Sequence, residues 1–208
     1  MSKKAPTIDQ IRRDAGHSMM TCLNDHSFSS ITIDMIAAAT GHQSSVLRRL
    51  FPDMVEMVNQ GLRDLDDGIL TELADDLAED VEAGIRERIL EGLIVRYERY
   101  RPYKQAIRHL NTASTRNPAL ATSTIHRLTA ASRTILELAG DNTSGLAGLL
   151  RVKGLAGVAL LAQRDWLADE SPDMAVTIRV LDQRLKQAED LAQLVNIIPK
   201  YTPDHDEA

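Results

Sequence analysis

The chain has 208 residues, of which 43% are hydrophobic, 26% are charged and only 3% are aromatic. These fractions are typical of a folded protein of one or two domains and exclude a long disordered chain. A single cysteine, Cys22, excludes a disulfide framework and any site built from several thiolates. The shortage of aromatic residues argues against RNA-binding modules that stack bases, and the net charge of −6 argues against a general polyanion binder.

The sequence gives no sign of a targeting or membrane-spanning segment. The residues after Lys3 and Lys4 contain no apolar run of the kind that a secretory signal needs. The longest uncharged apolar stretch, residues 154–163, is about half as long as a spanning helix. The histidines lack metal-site spacing, and no nucleophile motif or phosphate-binding loop is present. We therefore expect a cytoplasmic protein that is not an enzyme and that uses neither a metal nor a cofactor.

The hydrophobic pattern predicts helices almost throughout and no strands, so we expect an all-α protein of about nine helices. Thr7 caps the first predicted helix, and Thr32 caps the second, which Gly41 ends. The third predicted helix begins at Ser44, and Pro52 begins a long fourth one. The later predicted helices cover residues 81–101, 103–113, 118–138, 144–168 and 171–198.

Two opposed blocks of charge lie in the middle of the chain. Between Asp64 and Glu82 every charged residue is acidic, and between Arg101 and Arg133 every charged residue is basic. The acidic block is typical of a solvated helix face, or it directs DNA to the N-terminal part by repelling it elsewhere. The basic block either complements the acidic helix within the fold or lines a pocket for an anionic ligand.

Residues 31–51 fit a helix-turn-helix. Ala37 is small enough for two helices to cross closely, and Gly41 can adopt the positive φ that the turn requires. Apolar residues would hold the second helix against the first, namely Ile33, Ile36, Val46, Leu47 and Leu50. The remaining side chains suit base edges and phosphates, and we predict DNA contacts from Thr32, Gln43, Ser44, Ser45, Arg48 and Arg49.

This segment resembles the helix-turn-helix of the TetR family of bacterial transcriptional regulators, and the order of helices along the whole chain is similar too. The matching residues are Thr32, Ile36, Ala37, Gly41, Leu47, Phe51, Pro52 and Asp53. Two residues differ: Arg48 stands where the family usually has an aromatic residue that contacts phosphate, and Met54 where it usually has a lysine. Residues 1–65 contain as many bases as acids, which predicts few phosphate contacts and a shallow salt dependence.

The resemblance implies a DNA-binding repressor that acts as a homodimer on a palindromic double-stranded operator. It places a helix-turn-helix DNA-binding domain in residues 1–51 and a helical ligand-binding and dimerisation domain in residues 52–198. The two prolines and three acids of residues 199–208 indicate a disordered tail. A ligand would act by changing the separation of the two recognition helices, which must lie about 34 Å apart to enter successive major grooves.

Dimerisation is expected through the last two long helices. Gly148, Gly154 and Gly157 lie on the penultimate helix, and their helix-weakening cost indicates a close helix approach, either in the dimer or within one subunit. A hydrophobic or anionic small molecule is the expected ligand, in a pocket between the central helices. The polar and aromatic candidates for that pocket are Arg96, Tyr97, Tyr100, His109 and Trp166.

A second resemblance points to another function. Residues 85–110 and 166–173, followed by Thr177, Leu181 and Arg184, are similar to the lipid-binding accessory proteins of ubiquinone biosynthesis, which have a TetR-like fold. This implies, as the alternative, a lipid- or isoprenoid-binding protein that does not bind DNA. The same residues have a local structural explanation, because Ser171 can cap a final helix that Pro172 begins.

Overall fold

The computed structural model describes residues 5–79 and 83–194, with the backbone alone for residues 70–79. Within these ranges the regular elements are helices and no strand occurs, so the all-α prediction is confirmed. The α-helices are α1 (Ile8–Asp25), α2 (Ile33–Thr40), α3 (Ser44–Leu50), α4 (Met54–Glu79), α5 (Ile85–Tyr100), α6 (Lys104–Ser114), α7 (Pro118–Leu138), α8 (Gly145–Ala168) and α9 (Ala175–Leu194). We call α1–α3 the head and α4–α9 the body.

The starts of α4 and α5 differ from the prediction. Helix α4 begins after Pro52, because the Asp53 carboxylate caps it by accepting a hydrogen bond from the backbone nitrogen of Glu56 at 2.8 Å. Helix α5 begins at Ile85, where the Glu87 side chain accepts a hydrogen bond from the backbone nitrogen that precedes the helix. The predicted start of this helix at residue 81, the predicted end of the last helix and the predicted tail lie outside the described residues.

The prediction that the last helix begins at Pro172 is wrong. Ser171 and Pro172 lie in a turn, and Met174 takes a left-handed conformation with φ of 52°, so α9 begins at Ala175. The Ser171 hydroxyl still binds the start of α9, because it accepts a hydrogen bond from the backbone nitrogen of Ala175 at 3.1 Å. Sequence reasoning therefore identified the capping residue but placed it too close to the helix.

A buried carboxylate organises this turn. Asp169 accepts hydrogen bonds from the backbone nitrogen and the hydroxyl of Thr177, at 2.8 and 2.7 Å, and from the same two groups of Ser171. Burial works to raise the pKa of Asp169, but these hydrogen bonds outweigh it and hold the pKa well below its usual range. The segment that resembles the lipid-binding proteins thus has a structural role in joining α8 to α9.

Half of the basic block binds carbonyl oxygens at the end of α8 and just after it. Arg101, Lys104 and Arg108 each donate a hydrogen bond to a backbone carbonyl in the last turn of α8 or in the segment that follows it. Cations at this position stabilise the exposed carbonyls at a helix C-terminus. Arg127 does pair with an acid of α4, Asp66, at 3.2 Å. Among the side chains that the structure describes, the predicted complementarity between the two charge blocks therefore applies to this one pair.

Helices α1 and α4 cross at two glycines. A Cβ atom added to Gly16 would lie 2.7 Å from the backbone nitrogen of Gly61, and one added to Gly61 would lie 2.6 Å from the carbonyl oxygen of Gly16. Real Cβ atoms do not approach backbone this closely, so the crossing requires glycine on both helices. Helix α1 packs more extensively on α4 and α6 of the body than on α2 and α3 of its own head.

One face of α8 is apolar and exposed. Its exposed large side chains are Leu146, Leu149, Leu150, Leu160 and Leu161, and α9 adds Val176, Leu191 and Leu194. Within the part of the chain that the structure describes, a Cβ atom on Gly154 or Gly157 would meet nothing within 4 Å, whereas one on Gly148 would meet the backbone of Thr143. Close packing inside the subunit therefore explains Gly148 but not the other two glycines.

Among the described helices, α8 has the length and apolar composition of a membrane-crossing helix. That property is weak evidence of a span, because the core helices of folded proteins share it. Here α8 packs against α7 and α9, and Trp166 and Ala162 are among its fully buried residues.

Candidate DNA-binding and ligand-binding sites

The helix-turn-helix has the local geometry that the sequence predicts. Thr32 caps α2, since its hydroxyl oxygen accepts a hydrogen bond from the backbone nitrogen of Met35 at 3.3 Å. Gly41 has φ of 73° in the left-handed region, and its N–H donates to the carbonyl of Ala37 at 2.9 Å. Ala37 is buried where the helices meet. The turn between α2 and α3 thus depends on a glycine at position 41.

The predicted DNA-contacting residues lie together on the outer side of the head. Leu47 and Phe51 are fully buried and hold α3 against the core. With that face inward, the opposite face of α3 and the start of α2 point to solvent. Five of the six predicted residues are exposed, Ser44 being half-buried: Thr32, Gln43, Ser45, Arg48 and Arg49.

Three contacts that the sequence did not predict hold the motif to α1. The Arg12 guanidinium lies over the Phe51 ring, 5.5 Å from its centroid, and donates to the carbonyl oxygen of Leu50 at 3.2 Å. His42 Nε2 lies 2.9 Å from the Asp14 carboxylate. Burial raises the pKa of Asp14, but hydrogen bonds, chiefly from His42, outweigh this effect and lower it. These contacts fix both ends of α3 relative to α1.

The two arginines of α3 differ in their surroundings. The Arg48 Nη2 atom lies 3.3 Å from the Asp34 carboxylate, and both side chains are mostly exposed. Arg49 is exposed and makes no ion pair with any residue that the structure describes. An exposed ion pair contributes little stability, so a DNA phosphate can replace Asp34 as the partner of Arg48. Asp34 nevertheless places a negative charge beside the predicted DNA contacts.

We expect the substitution Asp34→Asn to strengthen binding to duplex DNA by roughly 3- to 10-fold, since it removes a charge that repels phosphate and frees Arg48. Fluorescence anisotropy with operator and scrambled duplexes measures the effect, which should be similar for both. Glu170→Gln, the same charge change in an exposed residue of the body, is the matched control. Unchanged or weaker binding by the Asp34 variant would contradict the expectation.

Four of the five predicted ligand-binding residues meet in the body, but as packed core. Tyr97 and Trp166 are in ring contact with centroids 5.1 Å apart, and the Tyr97 hydroxyl donates to the Ala159 carbonyl at 2.5 Å. Burial raises the pKa values of Tyr97 and Tyr100. The space that these residues line together with Arg96 is about 40 Å³, which is the volume of one or two water molecules.

His109 lies elsewhere, at the joint between head and body. Its Nδ1 donates to the carbonyl oxygen of Leu23 in α1, at 2.7 Å. Beside it, the Asn24 side chain donates to the carbonyl of Pro102 at 2.9 Å and accepts from the backbone nitrogen of Ala106 at 3.1 Å. These contacts tie the end of α1 to α6. His109 therefore connects the head to the body. The sequence pattern of α6 does not indicate which helix His109 faces.

Three larger spaces in the body can accept a small molecule. A groove of about 520 Å³ lies between α6, α7 and α8, with Arg108 and Arg164 in its lining. A second space of about 520 Å³ lies between α5, α7, α8 and α9. A third, of about 230 Å³, lies between α4, α5 and α7 and is bordered by Arg96 and Arg127. In the described part of the chain no group of three or more His, Cys, Asp or Glu could hold a metal ion.

Solved structures share this arrangement of helices. A TetR transcriptional regulator from Nitrosomonas europaea superposes with a TM-score of 0.68 over 86% of this chain and 98% of its own, at 16% identity. A TetR-family transcriptional regulator from Streptomyces coelicolor gives a TM-score of 0.63 over 91% of this chain and 85% of its own, at 15% identity. The chain has the TetR fold. Neither a family model nor a curated protein matches its sequence.

Within the TetR fold, the two residues that depart from the family pattern have clear positions. Met54 begins α4, half-buried and packed against the core. Arg48 is exposed on α3 beside Asp34. The first departure thus replaces a charged side chain with an apolar contact, and the second supplies a cation to the surface that carries the other predicted contacts.

Proposed function

We propose that the protein is a ligand-responsive, DNA-binding transcriptional regulator, acting in the cytoplasm as a homodimeric repressor on a palindromic operator. The observation that carries this proposal is the outer face of the head, where a capped α2 and a left-handed Gly41 present the exposed side of α3. Residues 1–51 form the DNA-binding domain in this proposal, and residues 52–198 form the ligand-binding and dimerisation domain.

The recognition surface combines short polar groups with two cations. Gln43, Ser45 and Arg49 have the reach and hydrogen-bonding groups to contact base edges in the major groove. Arg48 and the helix-capping Thr32 suit contacts with phosphate, which fix the register of the protein on DNA. The complete set of proposed contacts is Thr32, Gln43, Ser44, Ser45, Arg48 and Arg49.

The proposed dimer interface is the exposed apolar face of α8 with the neighbouring side of α9. A row of leucines on a helix surface is the type of patch that marks a protein interface, since burying it removes apolar area from water. Gly154 and Gly157 leave open space beside that row, where a partner helix can approach closely. A twofold axis through this face would place two copies of α3 on one side of DNA.

The proposed ligand response depends on the contacts between the body and helix α1 of the head. Helix α4 reaches α1 at the glycine crossing, and α6 reaches the end of α1 through His109 and Asn24. A ligand that binds the body better in one separation of the heads than in another changes operator affinity by that difference. The alternative of a lipid-binding accessory protein is not favoured, because Asp169 and its partners account for the segment that suggested it.

The test is binding to duplex DNA from the region upstream of the protein's own gene. We expect Arg49→Ala to weaken specific binding by roughly 10- to 100-fold, because a bidentate contact between arginine and a base contributes about 1–3 kcal/mol of discrimination. Arg116→Ala removes an exposed arginine from the body and is the matched control. Affinity that is indifferent to DNA sequence, or equal in the two variants, would refute the proposal.

A further inference from the structure

The 230 Å³ space between α4, α5 and α7 is bordered by an unbalanced cluster of charges. Arg96 Nε lies 3.3 Å from Asp66 Oδ1, and Arg127 Nη2 lies 3.2 Å from Asp66 Oδ2. These side chains are largely buried, with exposed fractions of 13% for Arg96, 19% for Arg127 and 8% for Asp66. Two arginines thus share one carboxylate, and the three groups together carry one excess positive charge.

The Asp66 carboxylate is shared by three hydrogen-bond donors. Asp66 Oδ1 accepts from Arg96 and also from the Tyr100 hydroxyl, at 2.9 Å, while Oδ2 accepts from Arg127. Arg127 Nε is buried and has no hydrogen-bond partner in the described structure. A buried polar atom without a partner is costly, and more so on a charged group. The cluster is therefore short of one acceptor on the side of Arg127.

The positive excess is a lasting feature of the cluster, since a guanidinium is not deprotonated in proteins. The Arg96 guanidinium lies over the Tyr100 ring, 4.5 Å from its centroid. Burial works to lower the pKa of Arg96, but Tyr100 and Asp66 outweigh this effect and raise it. At the mouth of the space, Arg63 and the exposed Asp67 carry opposite charges, so the rim adds no net charge of its own.

The walls define the rest of the ligand. Ile69, Ala130, Ala131 and Ile135 present apolar surface, and Thr134 adds one hydroxyl. The small side chains on α7 leave the 230 Å³ space open. The planar guanidinium group of an arginine can donate two parallel hydrogen bonds to the two oxygens of a carboxylate. The chemistry that fits is one carboxylate on a compact apolar body.

We infer that this space is a binding site for a small organic carboxylate, with Arg127 and Arg96 as the groups that recognise the anion. The inference rests on the proposed function because it takes the body to be the part of the protein that responds to a ligand. Asp66 lies on α4, the helix that crosses α1 at the paired glycines. A bound carboxylate competes with Asp66 for Arg127 and so weakens the ion pair that links α4 to α7.

The test uses benzoate and 2-methylpropanoate as probes, at constant ionic strength, with benzamide and 2-methylpropanamide as neutral matches. Thermal unfolding and titration calorimetry of the full chain should show saturable stabilisation by the carboxylates and none by the amides. Arg127→Gln should weaken carboxylate binding by about 10- to 100-fold, since it removes a charge-assisted contact. Arg133→Gln, on the same helix but paired with Glu137 outside the space, should not.

A second variant, expected to bind more tightly, separates an effect on the binding site from an effect of poor folding. Asp66→Asn removes the internal competitor and should tighten carboxylate binding by about tenfold, an outcome that misfolding cannot produce. Equal effects of carboxylates and amides, or unchanged binding by both the Arg127 and Asp66 variants, would overturn the site. Operator binding by the unliganded protein is measured in parallel: a protein that binds operator but no carboxylate refutes the site alone, and the reverse refutes the regulator function alone.

Discussion

Replacing Gly61 by alanine should lower the free energy of unfolding by about 3 kcal/mol, as strong overpacking does. The added Cβ would lie 2.6 Å from the Gly16 carbonyl oxygen, and backbone cannot yield as the end of a flexible side chain can. Alanine favours a helix by about 1 kcal/mol over glycine, so a net loss of stability means that the steric term is the larger one. Urea unfolding monitored by circular dichroism gives the value directly.

Gly84→Ala is the control for this measurement. Gly84 is exposed at the start of α5, and the nearest heavy atom to an added Cβ lies 3.8 Å away. Its replacement should cost less than about 1 kcal/mol, the difference in N-cap preference between glycine and alanine. A Gly61→Ala protein that is as stable as the parent, or more so, would show that α1 and α4 can separate at no cost, contrary to the close crossing.

The second large effect should come from Leu161→Glu on the exposed face of α8. Leu161 is 59% exposed in one subunit, and a carboxylate there would be buried without a partner in the proposed dimer. We expect monomers by size-exclusion chromatography with light scattering. Operator affinity should fall by about 10²- to 10⁴-fold, because a monomer loses the gain from binding two half-sites at once.

Ile8→Glu makes the same change at another exposed apolar residue, the first of α1 and outside the proposed face. It should leave the oligomeric state the same as that of the parent. A Leu161→Glu protein that remains dimeric would place the interface on another surface, and one that is monomeric yet binds operator with full affinity would refute the proposed bivalent binding.

The parts of the structure that depend on neighbouring residues could be predicted from the sequence. Thr32 and Gly41 act through hydrogen bonds and dihedral angles within a few residues, so composition and spacing were enough to place α2 and its turn. The start of α9 was missed because Asp169 binds Thr177 across the turn and Met174 interrupts the helix geometry. Neither effect has a signal in local propensity.

The body shows where sequence reasoning stops. Asp66 and Arg127 are 61 positions apart, and no periodicity indicates that two helices will bring them together. The direction in which His109 points depends likewise on how α6 packs against α1. The Gly16–Gly61 crossing did have a signal, since glycine inside a predicted helix is unfavourable and indicates a close approach. The glycines inside α1 and α4 carry the same signal as those of α8.

In the proposed regulator, the packing of α1 against α4 and α6 bears on the evolution of operator recognition. Because Arg12 and His42 hold α3 to α1, and the glycine crossing holds α1 to the body, a shift of α1 would rotate α3 with it. A rigid rotation changes the distance between half-sites that a dimer prefers but leaves the preferred bases within each half-site unchanged. Spacing and base preference are therefore separate traits, which can diverge independently through substitutions in the body and on α3.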